Sequence, residues 1–284
     1  MKKTLIALAV ATSAAVSGSA VAGLGSFDAG NLNNRVDFGG TISPTPVTNN
    51  WVWAVGQGYN QYSNSIDQLT NSGRTLTITA ADNMPILAGK VTSAFLGAPN
   101  SSPQIAFSNA DGSVITPVWS GENAEGSLTL NVQDNQQHKI GTMQLNVKAI
   151  SPVVVTNADG STGISVRYTS GEMGDSAFLG STGRFNADPS FAEVNNVLVT
   201  FGAPSVAELQ AQIKAFNGLG NVAEDTTDVV GKNTDWNFSY NGNVYSGAYA
   251  LGIAAGQQMV VTFDNAINGE TQWRAPLLMQ ISYN

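Results

Sequence analysis

The sequence predicts an all-β fold, on the strength of two observations. Apolar and polar residues alternate with a period of two in several short runs, at 76–79, 128–132, 143–147 and 260–263. Alternation of this kind is typical of strands with one buried face. Turn-forming sequences lie between the runs, at Asn71-Ser72-Gly73, Asn109-Ala110-Asp111-Gly112, Asn157-Ala158-Asp159-Gly160 and Asn241-Gly242. Many short strands at this spacing indicate a β-sandwich or a closed barrel.

One helix interrupts this pattern. Ser205 and Glu208 form a capping box directly after Pro204, and apolar residues follow at helical spacing. We therefore predict a helix over about 206–217, ended by Gly218. The surrounding segment, about 153–235, is less regular than the rest of the chain. It is predicted to form long connections or a subdomain inserted into the β fold.

The first residues are typical of an export signal. Lys2 and Lys3 precede a short apolar run at 5–11, and Ala20-Val21-Ala22 matches a signal-peptidase site. We expect residues 1–22 to be removed after Ala22, which places the mature chain outside the cytoplasm. No later apolar run is long enough for a membrane-spanning helix, so membrane insertion is not expected.

The composition argues against several functional classes. The net charge is −8, and loss of two lysines with the signal peptide makes it about −10, which disfavours nucleic acid as a partner. The chain has no cysteine and a single histidine, so thiolate and His-rich metal sites are excluded. We predict no cofactor and no metal.

An exported glycan-acting hydrolase is the alternative reading. Gly174-Asp175-Ser176 resembles a nucleophile block, but the only histidine, His138, lies in a polar run that predicts a hairpin tip. Carboxylates at Glu122 and Glu125, and in the segment 224–235, lack the context of a glycosidase cleft or an ordered calcium loop. The sequence therefore favours a protein that is not an enzyme.

Both ends of the mature chain show alternation. In the segment 32–42 one face would hold Leu32, Val36, Phe38, Gly40 and Ile42, with Asn34 as a polar exception on it. The other face would hold Asn33, Arg35, Asp37, Gly39 and Thr41. Burying the four large apolar side chains would stabilise a partner groove by ~6–12 kcal/mol. The last strand alternates likewise through Leu277, Met279, Ile281 and Tyr283. On alternation alone, both segments could be ordinary first and last strands.

Longer stretches of sequence resemble a known family. These are MKKTLIALAV, VDFGGTI, WVWAVGQGYNQYSNSIDQLTNSGRTLTITAADNMPILAGK, SPQIAF, AYALGIAAGQQMVVTF and TQWRAPLLMQISYN. They are similar to the FaeG-like major subunits and adhesins of kappa-class chaperone–usher fimbriae. The resemblance covers both ends of the chain, about half its length, while the middle at 153–235 matches no pattern we recognise.

The resemblance implies an incomplete immunoglobulin-like β-sandwich at 43–284, preceded by a donor-strand extension at 23–42. In this family the extension of one subunit completes the sandwich of the next, after a periplasmic chaperone has filled the gap. The donor residues would be Leu32, Val36, Phe38, Gly40 and Ile42. The chaperone-pairing strand would present Leu277, Met279, Ile281 and Tyr283. Expected partners are copies of the same chain, the chaperone and an outer-membrane usher, and the expected location is the cell surface.

The resemblance also implies that the subunit is an adhesin for host glycans. The sequence prediction for such a site is Arg167, Tyr168, Glu172, Arg184 and Phe185, which combine charges with aromatic faces. The alternative that the chain is a minor subunit without receptor binding stays open. A hairpin carrying Trp236, Phe238 and Tyr240 could also present rings to a sugar, although core packing suits these residues better.

Overall fold

A computed structural model describes residues 50–169, 176–224, 230–233 and 236–284. Two α-helices lie in this part of the chain, α1 (Phe191–Thr200) and α2 (Val206–Ala215), with one 3-10 turn at Ile66–Gln68. The strands, in chain order, are β1 (Trp51–Val55), β2 (Thr75–Thr79), β3 (Met84–Val91), β4 (Phe95–Leu96), β5 (Pro103–Ser108), β6 (Val114–Ile115), β7 (Val118–Trp119), β8 (Glu125–Gln133), β9 (Lys139–Ile150), β10 (Pro152–Asn157), β11 (Ser165–Thr169), β12 (Gly231–Asn233), β13 (Asn243–Ile253), β14 (Gln258–Phe263) and β15 (Leu278–Tyr283).

The central strand of the larger sheet is β13. It pairs antiparallel with β10 and then β9 along one edge, and with β4 and then β3 along the other. From β9 the sheet continues to β14 and β2 on one side and to β8 and β7 on the other. β1 pairs with β3 at its outer side. β11 pairs with β10, and β12 then pairs with β11 in parallel.

A smaller sheet of three strands, in the order β15-β5-β6, packs against the larger one. The main hydrophobic core fills the space between them. It joins Ile105 and Phe107 of the small sheet to Leu128, Leu130 and many other side chains of the large one. The predicted all-β, sandwich-like fold is confirmed.

A second core lies on the opposite face of the large sheet. Along β13, Tyr245 and Tyr249 point into the main core, while Val244 and Ala248 point into this second core. Both helices cover that face, and Leu209 of α2 is fully buried there. The described residues of the stretch predicted to be irregular therefore contain two helices and three short strands. The strands β10, β11 and β12 extend the large sheet, and the two helices form a layer on its outer face.

Both helices begin with the same device. Ser190 and Ser205 are the N-cap residues of α1 and α2. Each serine hydroxyl accepts a hydrogen bond from the backbone N–H of the glutamate three residues later. The side chain of that glutamate in turn accepts a hydrogen bond from the backbone N–H of the serine. The predicted helix at 206–217 is confirmed as α2. Helix α1 was not predicted, although Ser190 and Glu193 give the same capping signal as Ser205 and Glu208.

The capping carboxylates predict an acid-sensitive stability. The backbone N–H and then the hydroxyl of Ser190 hold the pKa of Glu193 below its usual value, and Ser205 does the same for Glu208. Because these pKa values lie below the unfolded value of about 4.3, the stabilisation is present above that pH and is lost as the pH falls through the folded values. We expect the Tm to fall below about pH 4 and to fall less steeply in a Glu193→Gln, Glu208→Gln variant, as measured by circular dichroism melting. An identical pH profile for both proteins would contradict this assignment.

Candidate functional site: a groove between the first and last strands

The first and last described strands lie beside each other at the edge of the sandwich. Among the strand pairs that the structure describes, β1 pairs only with β3, and β15 only with β5. One direct link between them is a hydrogen bond, in which the Trp53 Nε1–H donates to the Tyr283 hydroxyl over 2.9 Å. The two strands thus frame a groove that leads to the main core.

The groove is apolar and has a volume of about 220 Å³. Residues of the large sheet form its floor. One wall is formed by the residues just before β15 and at the beginning of that strand. The lining side chains include Val55, Met84, Ile86, Leu130, Met143, Leu145, Ile253, Met259, Leu277 and Met279. Four of the six methionines in the chain line it. Methionine is flexible and polarizable, so its side chain can adapt to apolar surfaces of irregular shape.

The burial pattern of β15 shows how open this side of the core is. Its inward side chains Met279, Ile281 and Tyr283 pack against the main core but stay partly exposed, while Leu278, Gln280 and Ser282 point to solvent. In β2, the strand at one edge of the large sheet, the inward Leu76 is only 3% exposed. The alternation predicted for the last strand is therefore present, with its apolar face only half covered.

Closely packed aromatic rings lie at one end of the groove. The ring of Trp53 stacks on Trp51 with centroids 5.7 Å apart, and Phe178 meets Trp51 edge-on. Gly89 makes room for this arrangement, because a Cβ there would lie 2.4 Å from the Trp53 ring. The aromatic cluster holds the Trp53–Tyr283 contact in place at this end.

The other end is bordered by a loop that follows β1. The Tyr59 hydroxyl donates to the backbone oxygen of Pro85 over 2.7 Å, and the Tyr62 hydroxyl contacts the sulfur atoms of Met84 and Met259 at 3.7 and 3.9 Å. Burial raises the pKa of Tyr59, and burial followed by repulsion from Tyr59 raises that of Tyr62. Both phenols are therefore neutral donors at physiological pH.

The five predicted donor-strand residues, Leu32, Val36, Phe38, Gly40 and Ile42, lie outside the described residues, as do the signal-peptide residues. Their role stays a prediction. The structure adds the groove itself: no alternation pattern pointed to its floor, because its residues come from strands far apart in the sequence.

The predicted glycan residues are only partly surface residues. Tyr168 is fully buried in the second core, where Phe185 packs against it edge-on with centroids 5.6 Å apart. The structure thus corrects the expectation that Tyr168 offers an open aromatic face. Arg184 is exposed, Arg167 lies along Gly231, and Glu172 falls outside the described residues.

The rings expected on a hairpin at 236–240 divide between core and surface. Phe238 is fully buried and meets Trp51 and Tyr245 edge-on, whereas Tyr240 is 63% exposed. Core packing, the use favoured by the sequence, is confirmed for Phe238.

The residues of the hydrolase reading do not form a site. Ser176 is 1% exposed, and its backbone oxygen accepts a hydrogen bond from Gln104. His138 lies in the exposed turn between β8 and β9, with its Nδ1 3.4 Å from Asp134. Within the described ranges no group of three or more His, Cys, Asp and Glu residues could hold a metal ion.

Fold and groove together define a β-sandwich subunit with an apolar cleft between its first and last strands. The family model described as "Fimbrial, major and minor subunit" matches residues 1–284. K88 fimbrial proteins AC and AB of Escherichia coli are each 36% identical to this chain, over 295 and 298 residues and 100% of both sequences. The F41 fimbrial protein of Escherichia coli is 28% identical over 299 residues, again across 100% of both chains.

The chain therefore belongs to the family of fimbrial major and minor subunits. It is a structural subunit of surface fimbriae, and membership implies assembly into filaments with other copies. In the described parts of the chain no helix is both long and apolar enough to cross a membrane.

Proposed function

We propose that the subunits polymerise by donor-strand exchange, with the groove between β1 and β15 receiving the segment 32–42 of a neighbouring copy. The observation that supports this is the half-exposed apolar face of β15 beside a methionine-lined groove. A strand inserted here would bury the part of the main core that is still exposed to solvent.

The donor segment and the groove have matching chemistry. The alternation in the sequence would place Val36, Phe38 and Ile42 on one face of an extended strand. The lining of the groove is formed mostly by aliphatic side chains and methionines. Main-chain hydrogen bonds to the neighbouring strands would supply affinity, and the alternate side chains would supply specificity. The polar face, with Arg35 and Asp37, would meet solvent.

Before assembly the same groove would be occupied by a periplasmic chaperone, which delivers the subunit to an outer-membrane usher. A bare groove exposes apolar surface at a strand edge, which favours aggregation. The flexible methionines suit successive occupation by two different strands. Donor and acceptor surfaces differ, so the contact does not close on itself and generates an open filament.

A groove variant tests this proposal. Met279→Asp would place an unpaired carboxylate in an apolar cleft, which costs several kcal/mol and should abolish both chaperone capture and filaments. Ser282→Asp is the matched control on the solvent face of the same strand and should leave both intact. Co-purification with the chaperone and electron microscopy of the cell surface measure the two outcomes. Normal filaments from the Met279→Asp variant would refute the groove assignment.

We further propose that the subunit is an adhesin that binds host glycans through the helical layer. This layer covers the face of the large sheet opposite to the main core, so donor-strand exchange would leave it exposed along the filament. Arg184 and Arg167 at its border offer hydrogen-bond donors to sugar hydroxyls. A weak site would suffice, because a filament repeats it many times.

Glycan-array binding of purified fimbriae tests this second part. We expect binding that falls at least tenfold in an Arg184→Ala variant and is unchanged in an Arg74→Ala variant, which lies in the turn before β2. Binding unaffected by Arg184→Ala and by exchange of 160–235 for the segment of a relative would contradict the placement. Absence of any binding would favour a purely structural subunit.

A further inference from the structure

A second cleft continues the groove beyond the beginning of β15. It has a volume of about 470 Å³, and its lining combines aromatic rings with amide side chains. Tyr59, Tyr62, Met143 and Ala275 line both the groove and this cleft. The aromatic cleft, defined by Tyr59, Tyr62 and Trp273, is therefore contiguous with the site proposed for the donor strand.

The walls of the aromatic cleft are held in position by their own contacts. The rings of Tyr62 and Trp273 are nearly parallel, with centroids 6.4 Å apart and 7° between their planes. Next to Trp273, Arg274 and Gln133 exchange two backbone hydrogen bonds of 2.8 and 3.0 Å. Asn135 Nδ2 donates to Gln272 Oε1 over 2.8 Å. An occupant would thus meet a preformed site.

The chain itself contains a segment suited to this cleft. Directly after the donor segment 32–42 comes Ser43-Pro44-Thr45-Pro46. Because a residue before proline favours extended backbone, the two prolines in this sequence favour an extended segment. Extended proline segments bind grooves lined with aromatic rings, at low entropic cost because they are pre-organised.

The length of the donor segment and its register on β15 would place the proline segment at the aromatic cleft. β15 covers 278–283. If the donor segment is centred on this strand, its middle residue, Asp37, lies opposite Gln280. If the donor strand runs antiparallel to β15, each step back along β15 is one step forward along the donor, which puts Pro44 opposite Trp273. The parallel direction would instead carry the prolines past Tyr283, where Gln104 donates to Asn284 Oδ1 over 3.1 Å and offers a polar surface.

We propose that the aromatic cleft binds Ser43–Pro46 of the neighbouring subunit, at the place where these residues would follow a donor strand that runs antiparallel to β15. This inference rests on the proposed donor-strand exchange and adds to it a binding site for the segment between donor strand and sandwich.

Disulfide trapping in assembled fimbriae tests this, because the native chain has no cysteine to interfere. The pair Thr45→Cys with Gln272→Cys should give a ladder of covalent oligomers on non-reducing gels. The pair Thr41→Cys with Asn284→Cys reports the parallel direction and should give monomers only. The pair Asp37→Cys with Gln280→Cys joins the middles of the two strands and should cross-link in either direction.

The three pairs separate the possible failures. A ladder from 37–280 without one from 45–272 overturns the aromatic-cleft proposal while donor-strand exchange stands. A ladder from 41–284 overturns it as well. Absence of cross-links from all three pairs in intact filaments overturns donor-strand exchange itself.

Filament stability provides a second readout. A Pro44→Ser, Pro46→Ser variant should form filaments that dissociate into monomers at a lower temperature in detergent, and Trp273→Ala should lower it similarly. The two changes combined should lower it little further, because each removes the same contact. A Pro117→Ala variant serves as the control. Saccharide binding by intact filaments that disappears in Trp273→Ala would assign the cleft to a glycan and overturn the proposal.

Discussion

Deletion of residues 23–42 is expected to abolish filaments while leaving a chain that still binds its chaperone. The deletion removes the donor segment but leaves β1, β15 and the groove between them intact. Phe38→Asp should come close to the same result, since an unpaired carboxylate would have to enter a groove lined by Met84, Met259 and other apolar side chains. Electron microscopy of the cell surface and chaperone co-purification give the two readouts.

The matched control is Asp37→Asn, which changes the polar face of the same segment by one charge. It should assemble normally. Filaments of normal length from the deletion variant would show that the segment 32–42 is not the donor.

The largest stability effect is expected when the donor segment is supplied within the same chain. Fusion of residues 25–42 to the C-terminus through a short flexible linker should convert an aggregation-prone subunit into a soluble monomer that unfolds cooperatively. Burying four large apolar side chains contributes ~6–12 kcal/mol, which is comparable to the whole stability of a typical domain. A strand that follows Asn284 and runs antiparallel to β15 requires only a hairpin turn.

Thermal melts of the fusion against the mature chain measure this effect. A fusion that carries Phe38→Asp is the control, and it should melt like the chain without a donated strand. If the unmodified mature chain melts as high as the fusion, the sandwich is already complete and the groove is not an acceptor site.

The strands that sequence reasoning found are those with one buried face. β8, β9 and β15 alternate because one side of each meets the core and the other meets solvent or a polar layer. β10 was assigned to an irregular stretch, since Val153 and Val155 face the main core while Val154 faces the second core. A strand buried on both faces shows no alternation. Helix α1 was missed for a different reason. Its capping box can be recognised in the sequence, but the surrounding residues show only a weak regular pattern, so no helix was predicted there.

The groove itself could not be predicted from the sequence. Met84, Met143, Met259 and Met279 lie on four strands, and only the pairing of those strands brings their side chains to one cleft. The sequence predicted the apolar face of the last strand, which is a local property. From the sequence, Tyr168 was assigned to a glycan surface. Its burial beneath Phe185 depends on how the segment folds back on the sheet, which the local pattern does not show.

A reconstruction of the assembled filament by electron cryomicroscopy, at a resolution that shows side chains, tests the central claim most directly. The account predicts that the segment 32–42 of one subunit lies between β1 and β15 of the next, with the Phe38 ring among the methionines of the groove. A groove filled by the same subunit's own segment, or left empty while subunits contact through other surfaces, would contradict it.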